Sequence, residues 1–123
     1  MQYIHLSNDS YILKTSKGIH NFTRKSFNFN KIKKLINKGA PEEKVIPYLE
    51  TPKLTNGIFE LYINTGIDKM FYCHIEEHNG RVYSEYYWLG GEDEDYVDES
   101  KEEFVGVYAS KEDIIEDWPE YII

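Results

Sequence analysis

Short runs of β-branched and aromatic residues, set off by small polar residues, open the chain. Residues 2–6, 11–15 and 19–23 are three such runs, separated by Ser7-Asn8-Asp9-Ser10 and Ser16-Lys17-Gly18. The spacers hold residues that accept turn dihedrals, so three short strands are predicted. The period then changes. Over residues 28–38, Phe29, Ile32, Leu35 and Ile36 fall on one helical face, while Lys31, Lys33, Lys34 and Lys38 project elsewhere. Asn28 is placed to cap this helix, and Gly39 to end it in a left-handed conformation. Pro41-Glu42-Glu43 predicts a second, short helix with carboxylates at its positive end, limited by Pro47 and closed by Pro52.

A β-meander follows. Residues 58–64, 69–77 and 81–89 read as strands, joined by Thr65-Gly66-Ile67-Asp68 and by Asn79-Gly80. Asn-Gly between two strand-like runs is a strong hairpin signal, because both residues tolerate positive φ. Residues 92–103 form a charge run expected to be a solvated loop, and residues 104–109 a last strand. Ser110-Lys111-Glu112-Asp113 is a capping-box-like helix start, with Ile114, Ile115 and Trp118 as its apolar stripe and Pro119 as its stop. The expected fold class is α+β. It is an antiparallel β-meander sheet with an N-terminal β-hairpin, two central helices and a C-terminal helix, in a single domain 1–123.

The two-residue turn also predicts a register, in which residue numbers on opposite strands sum to a constant. Phe71 then faces Trp88, Cys73 faces Tyr86, Ile75 faces Ser84 and Glu77 faces Val82. This mostly apolar side is expected to be the core side. The other side carries Tyr72 opposite Tyr87, His74 opposite Glu85, Glu76 opposite Tyr83 and His78 opposite Arg81. Cys73, on the apolar side, is expected to be inert packing.

Charge changes the picture. The chain has 123 residues and a formal net charge of −8. Residues 1–53 hold ten Lys+Arg and four Asp+Glu, whereas residues 54–123 hold four and 18. A modest total therefore hides a strong asymmetry, which marks either an electrostatic partner or mutual attraction between two parts of the fold. Twelve Lys against two Arg, with 14 Ile and eight Asn, suggests an AT-rich genome such as a low-GC bacterium or its phages. One Cys excludes an internal disulfide framework. No apolar run approaches the roughly 20 residues of a membrane span, and the N-terminus has no signal-peptide pattern. A soluble, cytoplasmic protein without a membrane partner is expected.

Two surfaces carry candidate chemistry. The acidic one comprises Glu92, Asp93, Glu94, Asp95, Asp98 and Glu99, extended by Glu112 and Glu116 of the last helix, with Asp113, Asp117 and Glu120 nearby. A surface of this sign suits docking on a basic protein groove. In composition alone it resembles the acidic inhibitors that phages direct at nucleic-acid-binding host enzymes, with no motif shared. The basic Arg24, Lys25 and Lys31–Lys38 region suits phosphate contacts, but the total charge disfavours direct nucleic-acid binding.

The second surface is the Tyr72, His74, Glu76, Tyr83, Glu85 and Tyr87 side of the hairpin. It suggests a small-molecule or nucleotide site, or an enzyme with His74 and Glu85 as an acid–base pair. No nucleophile elbow or phosphate-cradling loop accompanies these residues, so no catalytic residue is assigned. His74 and His78 alternate with Glu76, but i and i+4 on a strand lie about 13 Å apart, too far to share one ion. No metal or other cofactor is assigned. The preferred reading is a non-enzymatic binding or inhibitory module, of phage or mobile-element origin, that docks its acidic surface on a basic protein.

Overall fold

A computed structural model describes residues 1–90 and 98–122. The chain divides into two compact units, Met1–Pro52 and Lys53–Ile123.

The first unit opens with β1 (Gln2–Ser7), β2 (Ser10–Thr15) and β3 (Gly18–Thr23), an antiparallel sheet in that order. Helix α1 (Phe29–Asn37), the short α2 (Glu42–Val45) and a 3-10 turn at Ile46–Tyr48 complete it. The alternation in β2 turns Tyr11 and Leu13 inward, where Phe22, Phe29, Ile32 and Val45 meet them. The Tyr11 ring stacks on Phe22 and Phe29, with centroids 5.1 and 4.9 Å away. Its hydroxyl donates to the Phe29 carbonyl at 2.8 Å. Burial favours the neutral phenol, with a smaller contribution from neighbouring Tyr3, so the Tyr11 pKa is driven well above 10.0. Gly39 ends the α1 region at φ 73, as expected. Asn28 differs from expectation. It adopts φ 64 and makes no side-chain cap; its amide donates instead to the Tyr48 carbonyl at 3.1 Å. A left-handed Asn turns the chain into the helix, and its side chain is then aimed at the returning segment.

The second unit contains β4 (Ile58–Asn64), β5 (Lys69–His78), β6 (Arg81–Trp88) and β7 (Glu102–Tyr108), followed by α3 (Lys111–Asp117). The sheet is antiparallel with strand order β6-β5-β4-β7. All eight predicted β5–β6 pairs occur, from Phe71↔Trp88 to His78↔Arg81. Asn79 and Gly80 both take positive φ, 54° and 79°, as a type I′ turn requires. Ser110 caps α3, its hydroxyl accepting from the Asp113 amide at 3.2 Å.

The core of this unit corrects one expectation. Phe59, Leu61, Met70, Tyr72, Leu89, Val105 and Tyr108 pack with Ile114 of α3, so the helix lies on the Tyr72 side of the hairpin. Alternation could not decide this, because Met70, Phe71, Tyr72 and Cys73 are all buried. The side opposite α3 carries an aromatic row across all four strands. Phe104, Tyr62, Phe71 and Trp88 follow one another with centroids 5.3–5.5 Å apart. Burial pushes the Cys73 thiol up, which agrees with a packing role.

The charge run is also more ordered than expected at its end. A 3-10 turn spans Glu99–Lys101, and Glu102 and Glu103 already pair with Asn64 and Ile63 of β4. Asn64, 1% exposed, donates to the Asp98 carbonyl at 3.2 Å and accepts from the Gly66 amide at 3.0 Å. Thr65 donates its amide and hydroxyl to the Lys101 carbonyl.

Candidate functional site

The hairpin outgrows its helix, and that difference divides the six residues of its candidate face. Near α3, Tyr72 is buried, and burial together with the Glu112 charge raises its pKa. Tyr87 stacks on Tyr72 at 5.3 Å and is 41% exposed. Its hydroxyl donates to Glu85, and that bond raises the Tyr87 pKa. Tyr72 therefore belongs to the core, and the Glu85 carboxylate is engaged by Tyr87.

Farther along β5, His74 lies flat on Phe59, with centroids 4.3 Å apart and planes within 5°. Its Nε2 sits 2.5 Å from the Asn56 carbonyl and 3.1 Å from Glu76 Oε1. A carbonyl can only accept, so this bond requires the proton on Nε2. Glu76 bridges to His78 as well, with Oε2 2.9 Å from Nε2. The His78 hydrogen bond is the main cause of the lowered Glu76 carboxyl pKa, followed by the charges of His74 and His78.

The loop before β4 makes this arrangement possible. Gly57 holds φ 83, and a Cβ there would lie 2.3 Å from the Ile75 carbonyl oxygen. Only glycine lets the backbone come so close to β5. Asn56 and Gly57 were missed as contributors to the face, although Asn56-Gly57 is a second Asn-Gly signal in the sequence.

Chemically, the group is a line of hydrogen bonds from Asn56 through His74 and Glu76 to His78. Tyr83 and Glu85 lie on the same side through their pairing with Glu76 and His74. Among the described residues, no three His, Cys, Asp or Glu side chains are placed to hold a metal ion. Two open clefts are lined by other residues. One of about 490 Å³ in the first unit is lined by His20, Phe22, Lys25 and Thr51, and one of about 250 Å³ in the second by Lys69, Leu89 and Tyr121.

The acidic set divides too. Glu92, Asp93, Glu94 and Asp95 lie outside the described residues. Asp98 is exposed but works as a cap, its carboxylate accepting from the Ser100 amide at 3.0 Å and hydroxyl at 2.6 Å. Glu99, Glu112 and Glu116 are exposed, as are Asp113 and Glu120. Asp117 is the exception. It is 6% exposed and accepts from the Tyr108 hydroxyl at 3.1 Å, and that hydroxyl accepts from Trp118 Nε1 at 2.8 Å. Asp117 lies one turn after the exposed Asp113 and to one side of the Ile114–Trp118 stripe, so its burial was not foretold by the stripe and follows from its bond to Tyr108.

The fold and these surfaces define an α+β protein with a basic and an acidic unit. No protein-family model matches the chain, and no curated protein or solved structure does either. Among the described residues, no helix is long and apolar enough to cross a membrane.

Proposed function

We propose that this chain is a non-enzymatic binding module that docks the acidic surface of its second unit on a basic protein. The observation that carries the reading is the division of labour within α3. Ile114 and Asp117 are buried and Ile115 and Trp118 pack on the core, while Glu112, Asp113 and Glu116 face outward. The inner positions are thus used by the fold, and the outer ones present a set of exposed carboxylates. Exposed carboxylates of one sign steer a cationic partner and exclude anionic ones. Glu99, the Glu92–Asp95 segment and an inhibitory action on the partner belong to the same proposal, as does a phage or mobile-element origin.

The test is capture of partners from a low-GC bacterial lysate by the tagged chain and by its Glu112→Lys/Glu116→Lys variant. A basic protein retained at low salt, released by added salt and absent from the variant's eluate is expected. Identical eluates from the two chains would overturn the reading.

A further inference from the structure

One edge of the second unit's sheet, β6, is open. β6 pairs with β5 on one side, and among the described residues it has no strand on the other. Every β6 residue except Trp88 is exposed. Val82 and Tyr86 are each 68% exposed, Tyr83 52% and Tyr87 41%. Edge strands are ordinarily blunted by Pro, Lys, a bulge or brevity. This strand is eight residues long, contains neither Pro nor Lys, carries charge only at Arg81 and Glu85, and keeps an unbroken register with β5.

The direction of its free backbone groups follows from the turn. A two-residue type I′ turn makes His78 and Arg81 a hydrogen-bonded pair, so Arg81, Tyr83, Glu85 and Tyr87 bond to β5. The Leu89 amide, in the same phase, donates to the Met70 carbonyl at 2.8 Å. Val82, Ser84, Tyr86 and Trp88 therefore turn their N–H and C=O groups to the open edge.

We propose that a second copy of this chain fills that edge. Two β6 strands pair antiparallel about a two-fold axis at Ser84, joining two four-stranded sheets into one continuous sheet. The strand is complementary to itself in this register. Val82 meets Tyr86 of the second copy, Tyr83 meets its Glu85, and Arg81 meets its Tyr87 with Glu85 on the diagonal. Each contact occurs twice by symmetry. Moving the axis to Glu85 would set the two Glu85 carboxylates opposite each other. Moving it to Tyr83 would leave Val82 and Tyr86 unmatched. Axes between residues would put the side chains of paired residues on opposite faces of the sheet.

The association is distinguishable from docking on a basic protein by its response to salt. Two copies of charge −8 repel at long range, so added salt strengthens self-pairing, whereas it weakens binding to a cation.

Sedimentation velocity over a concentration series, with amide exchange followed by NMR, tests the proposal on the full chain. A monomer–dimer equilibrium is expected, in which the Val82, Ser84 and Tyr86 amides gain protection as concentration rises. The Tyr83 and Glu85 amides stay protected throughout. Val82→Lys should weaken dimerisation about tenfold or more by setting a charge against Tyr86. Ser84→Pro should weaken it similarly while sparing the β5 pairing, since the lost N–H points outward. Circular dichroism confirms that both variants keep the fold. A chain monomeric at every concentration overturns the proposal. So does a dimer indifferent to Val82→Lys, or edge amides protected equally at all concentrations, which would mean an intramolecular cover.

Discussion

The two units solve the same problem with unequal care for their edges. Each packs an antiparallel sheet against helix, and each buries a tyrosine in its core, Tyr11 in the first and Tyr72 in the second. In the first unit the strands are six residues long, and the β1 edge is interrupted by a register shift between His5 and Ser7. In the second the hairpin continues past the helix and offers β6 uninterrupted. The charge break falls at the same place as the division between units: Met1–Pro52 holds nine Lys+Arg against four Asp+Glu, and Lys53–Ile123 five against 18. A short strand with a broken register, as at β1, limits what an edge can recruit, whereas the longer β6 edge keeps an unbroken register and exposed tyrosines.

The largest way to break the comparison is to remove equivalent core groups. Leu13→Ala in the first unit and Leu61→Ala in the second, both at 0% exposure, should each cost about 3 kcal/mol in urea denaturation. A cost under about 1 kcal/mol for either would show that its unit's core is not as close-packed as the burial implies. Gly57→Ala comes next, at about 2–3 kcal/mol, because the new Cβ must displace the Ile75 carbonyl and hold positive φ. Its companion signature is a shifted His74 Nε2 resonance, since the Asn56 carbonyl moves with the loop. Tyr108→Phe should cost about 2 kcal/mol by deleting the bonds to Asp117 and Trp118. Thermal unfolding measures it, and Tyr48→Phe is a same-chemistry control.

Alkaline pH compares the units more gently. Tyr11 and Tyr62 both have pKa values raised above 10.0, chiefly by burial, with the Glu60 hydrogen bond adding to Tyr62. A raised pKa means that the folded state keeps the proton longer than the unfolded state. Both contributions are therefore complete below pH 10 and are lost as pH rises above it. Absorbance at the phenolate band should show exposed tyrosines ionising first, with Tyr11→Phe and Tyr62→Phe each removing a late step. Acid gives the smallest effect. Glu42, bonded by the Ser16 amide at 2.8 Å, and Glu76, bonded by His78, both have lowered carboxyl pKa values. Their contacts are complete above the ordinary carboxylate pKa and are lost as pH falls through the lowered one. Carboxyl NMR titrations should place both below the ordinary carboxylate range, and His78→Ala should raise Glu76, with His74 still lowering it in part, while leaving Glu42 unchanged.

Much of this was legible residue by residue. The turns at Asn79-Gly80 and Gly39, the Ser110 cap and the α1 stripe are all set by neighbours in sequence. Asn28 was misjudged because an Asn serves equally as a cap or as a left-handed turn, and the carbonyl it reaches is 20 residues away. The acidic run was judged by composition, which cannot see that buried Asn64 and exposed Thr65 tie down Asp98 and Lys101. The hairpin face was read as one surface, whereas it is core at Tyr72 and exposed at Tyr83. A strand pattern does not say where the covering helix stops.

By itself the sequence determined the elements, the β5–β6 register and the unequal distribution of charge, because turn dihedrals, side-chain period and ionisable groups are local properties. Tertiary structure alone decided which side of the hairpin is core, that Asp117 leaves the acidic surface, and that His74 meets Asn56. Those outcomes depend on where α3 and the 53–57 segment land after the chain returns, and contacts between distant residues are settled by packing rather than by propensity.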